Sequence, residues 1–392
     1  MIDSYQSRGV SATKEDVHAA VAAQSRGLFP GAFCKIVPDP AGQSDWCAAF
    51  HADGAGTKSS AAYLMYRESG DTRWFAGIAQ DALVMNTDDL LCVGAAGGFY
   101  VSSTIGRNAQ RFDAACLKAL IGGTEAMIDR LIAWGIDITL TGGETADVGD
   151  LVRTVICDST VFVRLRRSRV IDASRIKPGR VIIGLASFGQ MSGEEQENSG
   201  IGSNGLTAAR HLLLQDYYRR RYPESFADTL QPELAYSGHW RLEDTLPGSS
   251  LSVGEAILSP TRTYLPVLRE LLDRPDIQIE GMIHCTGGGQ TKCRDFGRGI
   301  RYVKDNLFPA PPIFAAIRET GGISAEEMYQ VFNMGHRLEL IVSEPAVAPI
   351  LDTCARFKLS ARVIGYTEAC DGPGNEVIIR DQGQTHVYRS RI

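Results

Sequence analysis

The sequence predicts a mixed α+β (α/β) fold divided into two domains, residues 1–168 and 169–392, and three observations carry that expectation. The chain has 392 residues, more than one hydrophobic core usually serves, so two cores of ordinary size are expected. Roughly the first 170 residues alternate between apolar periods of 2 and 3.6, as when strands and helices share a core. At 166–179, "RRSRVIDASRIKPG" interrupts that pattern with charges and a Pro-Gly turn, after which the mixed reading resumes.

Taken in order, residues 74–94 read as a helix that Gly94 stops. Residues 111–134 read as a second, with Phe112, Cys116, Leu120, Met127, Leu131 and Trp134 on one side. Ile136, Ile138 and Leu140 alternate as a strand that is expected to break at Gly142-Gly143 and deliver Glu144 from a loop. "RTVICDSTVFVRL" is a long strand rich in β-branched residues, and "VIIGLAS" opens the second half as another. Ser259-Pro260 is expected to cap the helix "TRTYLPVLRELLD". Ser324-Ala325-Glu326-Glu327 reads as a capping box for a short helix ending near Asn333 and Gly335. Residues 190–200 and 214–250 are long and polar and read as loop insertions.

Hydrophobic residues are 44% of the chain and charged ones 22%, the balance of a globular protein and not of a disordered one. A net charge of −6 argues against a nucleic-acid partner, whose phosphates call for excess Lys and Arg. Nine cysteines with no C-x-x-C pair read as reduced thiols in a cytoplasmic protein, not as a disulfide frame or zinc site. The first 17 residues carry no signal-peptide pattern, and no apolar run of about 18 residues suggests a membrane span.

The chemistry concentrates in acidic and glycine-rich stretches. In "FHADGAGTKSS", residues 50–60, Asp53 precedes Gly54, Gly56, Thr57 and Lys58, but the P-loop spacing is not met. On the helix at 74–94, Asp81 and Asp88 lie about 10.5 Å apart along one stripe, with Asp89 rotated roughly 80° further. Carboxylates on a largely apolar helix are costly unless they face water or a cation. Asp53 and Glu144 each follow a strand and sit beside glycines (Gly142 and Gly143 for the latter), which suits Mg²⁺ and the phosphates it carries. Asp53, Asp88 and Asp89 are therefore the candidate metal ligands, expected with Glu144 to share one crevice. Gly287-Gly288-Gly289 follows the strand "GMIHCT" and reads either as an anion cradle or as a tight turn. Ser203 and Asn204, in Gly202-Ser203-Asn204-Gly205, open a helix and read either as a phosphate site or as an ordinary N-cap.

Together these segments resemble, nearly end to end, the aminoimidazole ribonucleotide synthetase family, the phosphoribosylformylglycinamidine cyclo-ligases. The resemblance runs through "SYQSRGV", "ADGAGTK", "DALVMNTDDLLCVGA", "LTGGETAD", "GSNG", "SPTRTYLPVL", "HCTGGG", "EMYQVFNMG" and "ARVIGYTEA". The "ADGAGTK" and "GGET" blocks are shared with a wider ATP-using superfamily that includes selenophosphate synthetase and thiamine-monophosphate kinase. The resemblance implies a homodimer whose N-terminal domains join their sheets, and a C-terminal α/β domain that holds the substrate phosphate. It implies a cleft for ATP, Mg²⁺ and a small phosphoribosyl substrate. It implies ATP-dependent closure of formylglycinamidine ribonucleotide to aminoimidazole ribonucleotide in purine biosynthesis. Carried over, the cofactor-binding residues are Asp53, Gly54, Gly56, Thr57, Lys58, Gly142, Gly143, Glu144, Ser203, Asn204 and Gly287 to Gly289, and the catalytic ones Lys58, Asp89, Glu144 and Asn204. The chain departs from the family at Gly202, where a histidine is usual, at Ala96 and Ser102, where acidic residues are usual, in a shortened "RGLFPGAFCK" loop, and in the insertion "SGEEQENSG". His51 or His284 are then candidates for a proton role. The alternatives are another phosphoryl transferase of the superfamily, or a silent nucleotide-binding paralogue.

Overall fold

A computed structural model describes residues 5–10, 15–21, 23–372 and 374–390. Ser4 and residues 11–14 of the N-terminal stretch read above lie outside them, as do the two chain ends of the expected domains. After helix α1 (Glu15–Val21), the first half builds a five-stranded sheet from β1 (Val37–Pro38), β2 (Trp46–Gly54), β3 (Phe99–Arg107), β4 (Ile138–Asp147) and β5 (Val155–Arg166), in the order β1-β2-β5-β3-β4. Only β3 and β4 run parallel. Strand β5 shows why a sheet forms here: Val155, Cys157, Ser159, Val161, Val163 and Leu165 alternate inward and are buried. Helices α2 (Lys58–Ser69), α3 (Trp74–Leu91) and α4 (Ala114–Ala133) belong to this half, and α3 packs against both β2 and β5. Asp113 caps α4 by accepting from Cys116 N.

The other face of that sheet stays bare in the single chain. Phe50 and Tyr100 are 65% and 52% exposed, and Phe162 lies between them in cross-strand register. Such a contiguous aromatic face is unusual on a surface that meets only water.

The second half forms a seven-stranded sheet in the order β14-β13-β10-β12-β6-β11-β9. Its strands are β6 (Val181–Ala186), β9 (Ile279–His284), β10 (Ile300–Lys304), β11 (His336–Val342), β12 (Ala361–Ala369), β13 (Glu376–Asp381) and β14 (Gln384–Arg389). A two-stranded ladder, β7 (Phe188–Gly189) and β8 (Asn198–Ser199), sits apart. The helices are α5 (Leu206–Leu213), α6 (Tyr217–Arg221), α7 (Val253–Leu258), α8 (Leu265–Leu272), α9 (Pro312–Gly321), α10 (Ala325–Val331) and α11 (Val347–Arg356). One apolar cluster joins the halves: Val84 and Leu90 of α3 pack with Leu268 and Leu271 of α8 and with Leu338 and Leu340 of β11. Helix α3 is thus buried almost all round, carboxylates included.

Several local expectations are corrected. Strand β4 does not break at Gly142-Gly143 but runs on to Asp147; a register slip opposite Val101 and Ser103 absorbs an extra residue, with Gly142 at φ +107°. Ser259-Pro260 starts no helix; Ser259 instead takes the C-cap position of α7. Residues 259–264 precede α8, which starts at Leu265 with Pro266 in its first turn. Ser324 does cap α10, accepting from Glu327 N, while the Glu327 carboxylate accepts from Tyr5 N. Gly205, at φ +77°, and not Ser203 or Asn204, takes the N-cap position of α5. The stretch 214–250 is no free loop, since it contains α6 and buries Tyr218, Tyr222 and Tyr236 in a second core cluster. The 190–200 insertion is likewise tied down, with Asn198 Nδ2 donating to Pro260 O and Glu194 paired with Arg262.

Candidate functional site

The lysine that follows the glycine loop starts α2 and is wholly buried. Its ammonium donates to Asp81 Oδ1 at 2.9 Å, Gly202 O at 3.1 Å and Ser259 O at 2.6 Å. A lysine has three protons, and here all three are committed. Asp81 Oδ1 also accepts from Thr261, through N at 2.7 Å and Oγ1 at 2.5 Å. This explains why 259–264 is not helical: its backbone and hydroxyls are spent on α3. Burial draws the Lys58 pKa down, and Asp81 opposes it. The expected contact of Lys58 with a triphosphate is therefore replaced in this structure by a clasp between the two halves.

Two turns further along α3, Asp88 is fully buried, with Oδ1 accepting from Thr263 Oγ1 at 2.9 Å and Oδ2 from Arg337 Nη2 at 3.0 Å. Burial raises its pKa while the Arg337 charge opposes the rise. Asp89 lies between two histidines: His284 Nδ1 is 2.5 Å from Oδ1, and His51 Nε2 is 3.2 Å from Oδ2. Despite burial, they hold its carboxyl well below the usual range. His51 Nδ1 meets Asn86 Oδ1 at 2.9 Å. The Asn86 amide is oriented by donating to the carbonyls of Asp53, Ala82 and Ser159, so its oxygen faces His51. Both ring nitrogens of His51 thus meet acceptors. Burial alone would lower its pKa, but Asp89 and Cys34 prevail and raise it to about 11. Cys34 donates its thiol to Asp89 O at 3.3 Å, and burial keeps its pKa up.

Asp53 is half-buried on the same face of β2 as His51, with Oδ1 accepting from Gly54 N at 2.7 Å. Beside it stands Asp158, a residue the sequence reading passed over; its pKa is raised by burial and then by the Asp53 charge. Gly54 is held to glycine by backbone, because a Cβ would lie 2.8 Å from Cys157 O as well as against the Asp158 carboxylate. Nearby, Thr57 Oγ1 and Thr207 Oγ1 are 2.8 Å apart, Ser203 Oγ and Thr261 Oγ1 are 2.7 Å apart, and Gly287 N donates to Asn204 Oδ1 at 3.2 Å. Gly287, Gly288 and Gly289 all have positive φ, a conformation few other residues adopt. The glycine loop after β2, the Ser203-Asn204 turn and the Gly287 turn are thereby gathered in one place.

Glu144 is not gathered with them. Because β4 continues past the glycines, Glu144 is exposed and in register with Thr104, which pairs in turn with Asp158 and then Gly54. That row lies on the aromatic face and places Glu144 two strands from Asp158, roughly 9–10 Å between backbones. Arg337 was the costlier omission. Its signal was present in a charged residue within the apolar strand "HRLELIV", since a buried cation requires a partner.

Carboxylates, histidines and glycine turns are thus gathered where the two halves of the chain meet. The chain belongs to the AIR synthase related protein family, matching its N-terminal domain over residues 33–162 and its C-terminal domain over 177–378. Among its relatives is a phosphoribosylformylglycinamidine cyclo-ligase of Methanococcus vannielii, 28% identical over 319 residues, covering 81% of this chain and 76% of that one. Another of the same name, from Carboxydothermus hydrogenoformans, is 30% identical over 351 residues, covering 88% and 86%. In fold, the chain is similar to T. maritima PurL solved with FGAR, at a TM-score of 0.55 and 14% identity; it spans 96% of itself but only 49% of that longer chain. Thiamine monophosphate kinase from Aquifex aeolicus gives a TM-score of 0.50 at 11% identity, covering 94% and 96%.

Replacing one partner of the Lys58–Asp81 pair leaves a buried charge uncompensated. The variant Lys58→Met should therefore lose about 3–5 kcal/mol in urea denaturation, and adding Asp81→Asn should restore a substantial part. A Lys58→Met protein as stable as the wild type would show that the clasp is absent in solution.

Proposed function

We propose that this protein closes the imidazole ring of aminoimidazole ribonucleotide from formylglycinamidine ribonucleotide, at the expense of ATP, in purine biosynthesis. The observation that carries the reading is the family match in both halves, joined to cyclo-ligase relatives aligned over most of their lengths. In the reaction, the γ-phosphoryl group of ATP passes to the formamide oxygen as its bond to ADP breaks. The amidine nitrogen then bonds to the formyl carbon, and phosphate departs with that oxygen as the nitrogen loses a proton. Catalysis of this kind consists largely of positioning and charge. Ser203, Asn204, Thr57 and the backbone of Gly54, Gly56 and Gly287 to Gly289 would hold phosphates, while His51 supplies a fixed positive charge beside Asp53. The two separate main sheets support a division into an ATP/Mg-binding and dimerisation unit, 1–168, and a substrate-phosphate unit, 169–392.

The residues fit a divalent cation at the strand ends. The Asp53 charge disfavours ionisation of Asp158, a repulsion that a bound cation would relieve. Asp53 would hold Mg²⁺ at the end of β2, with Asp89 one step behind His51, whereas Asp88 is set against Arg337. Mg²⁺ would neutralise phosphate charge during transfer.

The bare aromatic face supports a homodimer in which two such sheets meet. Glu144 and Asp158 lie on that face, which gives Glu144 a place in the site through the partner and not through its own chain. Nine free cysteines, eight of them buried, support a cytoplasmic location. No helix among the described residues is long and apolar enough to cross a membrane.

Purified protein with ATP, Mg²⁺ and formylglycinamidine ribonucleotide should release ADP and form aminoimidazole ribonucleotide in equal amounts. ADP release on other substrates only would favour a related phosphoryl transferase, and ATP binding with no ADP release a silent paralogue. The assembly has a separate check. Phe50→Asp should convert a dimer to a monomer in light scattering; a wild type that is monomeric at high concentration would remove the dimer.

A further inference from the structure

Arg337 enters the site from β11, with its side chain buried and its guanidinium held by Asp88 Oδ2 at 3.0 Å, by Arg262 O and over the ring of Tyr264. Its Nη1 also meets His284 Nε2. A guanidinium has donors only. At that contact Arg337 must donate, so His284 Nε2 must present its lone pair and the ring proton must reside on Nδ1. Nδ1 is the atom 2.5 Å from Asp89 Oδ1. The other Asp89 oxygen meets His51, the one member of this chain of contacts with appreciable side-chain exposure, 21%. Order thus passes from a sealed arginine, through a histidine and a carboxylate, to a cation at the rim.

Room for the arginine comes from Gly202. That residue has φ +69°, and a Cβ there would lie 3.3 Å from Arg337 Cδ and 3.6 Å from Asn333 Nδ2. A larger side chain at 202, such as the histidine the family resemblance calls for, would compete with Arg337 for the same space. The glycine and the arginine therefore go together, as one way of furnishing this corner of the cleft.

We propose that Arg337 is a positioning residue: it fixes the tautomer of His284, which holds Asp89 in the orientation that presents His51 to the bound substrates. The kinetic consequence rests on the ATP-dependent reading of the cleft; the tautomer does not. In protein labelled with ¹⁵N-histidine, the wild type should show His284 with its proton on Nδ1. Arg337→Met should release it to a mixture or to the Nε2–H form. The same variant should lower kcat about ten- to a hundredfold with KM for ATP little changed, and Arg337→Lys, which keeps a donor, should regain part of both. An Nε2–H or doubly protonated His284 in the wild type overturns the proposal without any variant. So does a folded Arg337→Met with unchanged shifts and kcat. Failure of the wild type to cyclise its substrate would instead overturn the reaction assigned above, because the shifts need no turnover.

Discussion

The structure depends on a single lysine that has no proton left to give. Lys58 starts the helix after the glycine loop, yet it spends its ammonium on Asp81 of α3 and on two carbonyls from the second half. In a sealed interior a lone charge is prohibitively costly, so each of these groups constrains the others. The carbonyls of Gly202 and Ser259 belong to the turns that carry Ser203 and Thr261. Fixing them fixes the Ser203–Thr261 contact. A residue that reads as a phosphate ligand is here the clasp between the two halves.

Helix α3 extends the same logic along its length. Its three carboxylates face three different kinds of donor: an ammonium at Asp81, a guanidinium at Asp88 and two imidazoles at Asp89. Each donor other than Lys58 and His51 comes from the second half of the chain. An apolar helix with acids spaced along it acts as a spine to which both sheets are pinned, and only the last acid leads outward, to the partly exposed His51.

Much of this was legible in the sequence, for identifiable reasons. Helix α3 and strand β5 were read correctly because their apolar patterns are long and consistent, and the Thr57, Ser203–Asn204 and Gly287 turns lie together, whereas Asp88 is sealed against Arg337 and Thr263. The failures share a cause, which is that tertiary bonds overruled local signals. Ser259-Pro260 has the chemistry of a helix start, but Thr261 and Thr263 are drawn to the α3 carboxylates. Gly142-Gly143 has the chemistry of a break, but the sheet absorbs the extra residue as a slip in register and carries Glu144 to the opposite face. Arg337 lies 249 positions from Asp88, a separation across which no local pattern links charge to charge.

The central claim is that the two halves are one cooperative body held by buried ion pairs on α3. Native-state hydrogen exchange measures this directly. The account predicts that amides of α3, β5 and β11, together with that of Thr261, exchange only through global unfolding and share one free energy that falls together in denaturant. Exchange of β11 with a free energy of its own, well below that of α3 and β5, would contradict it.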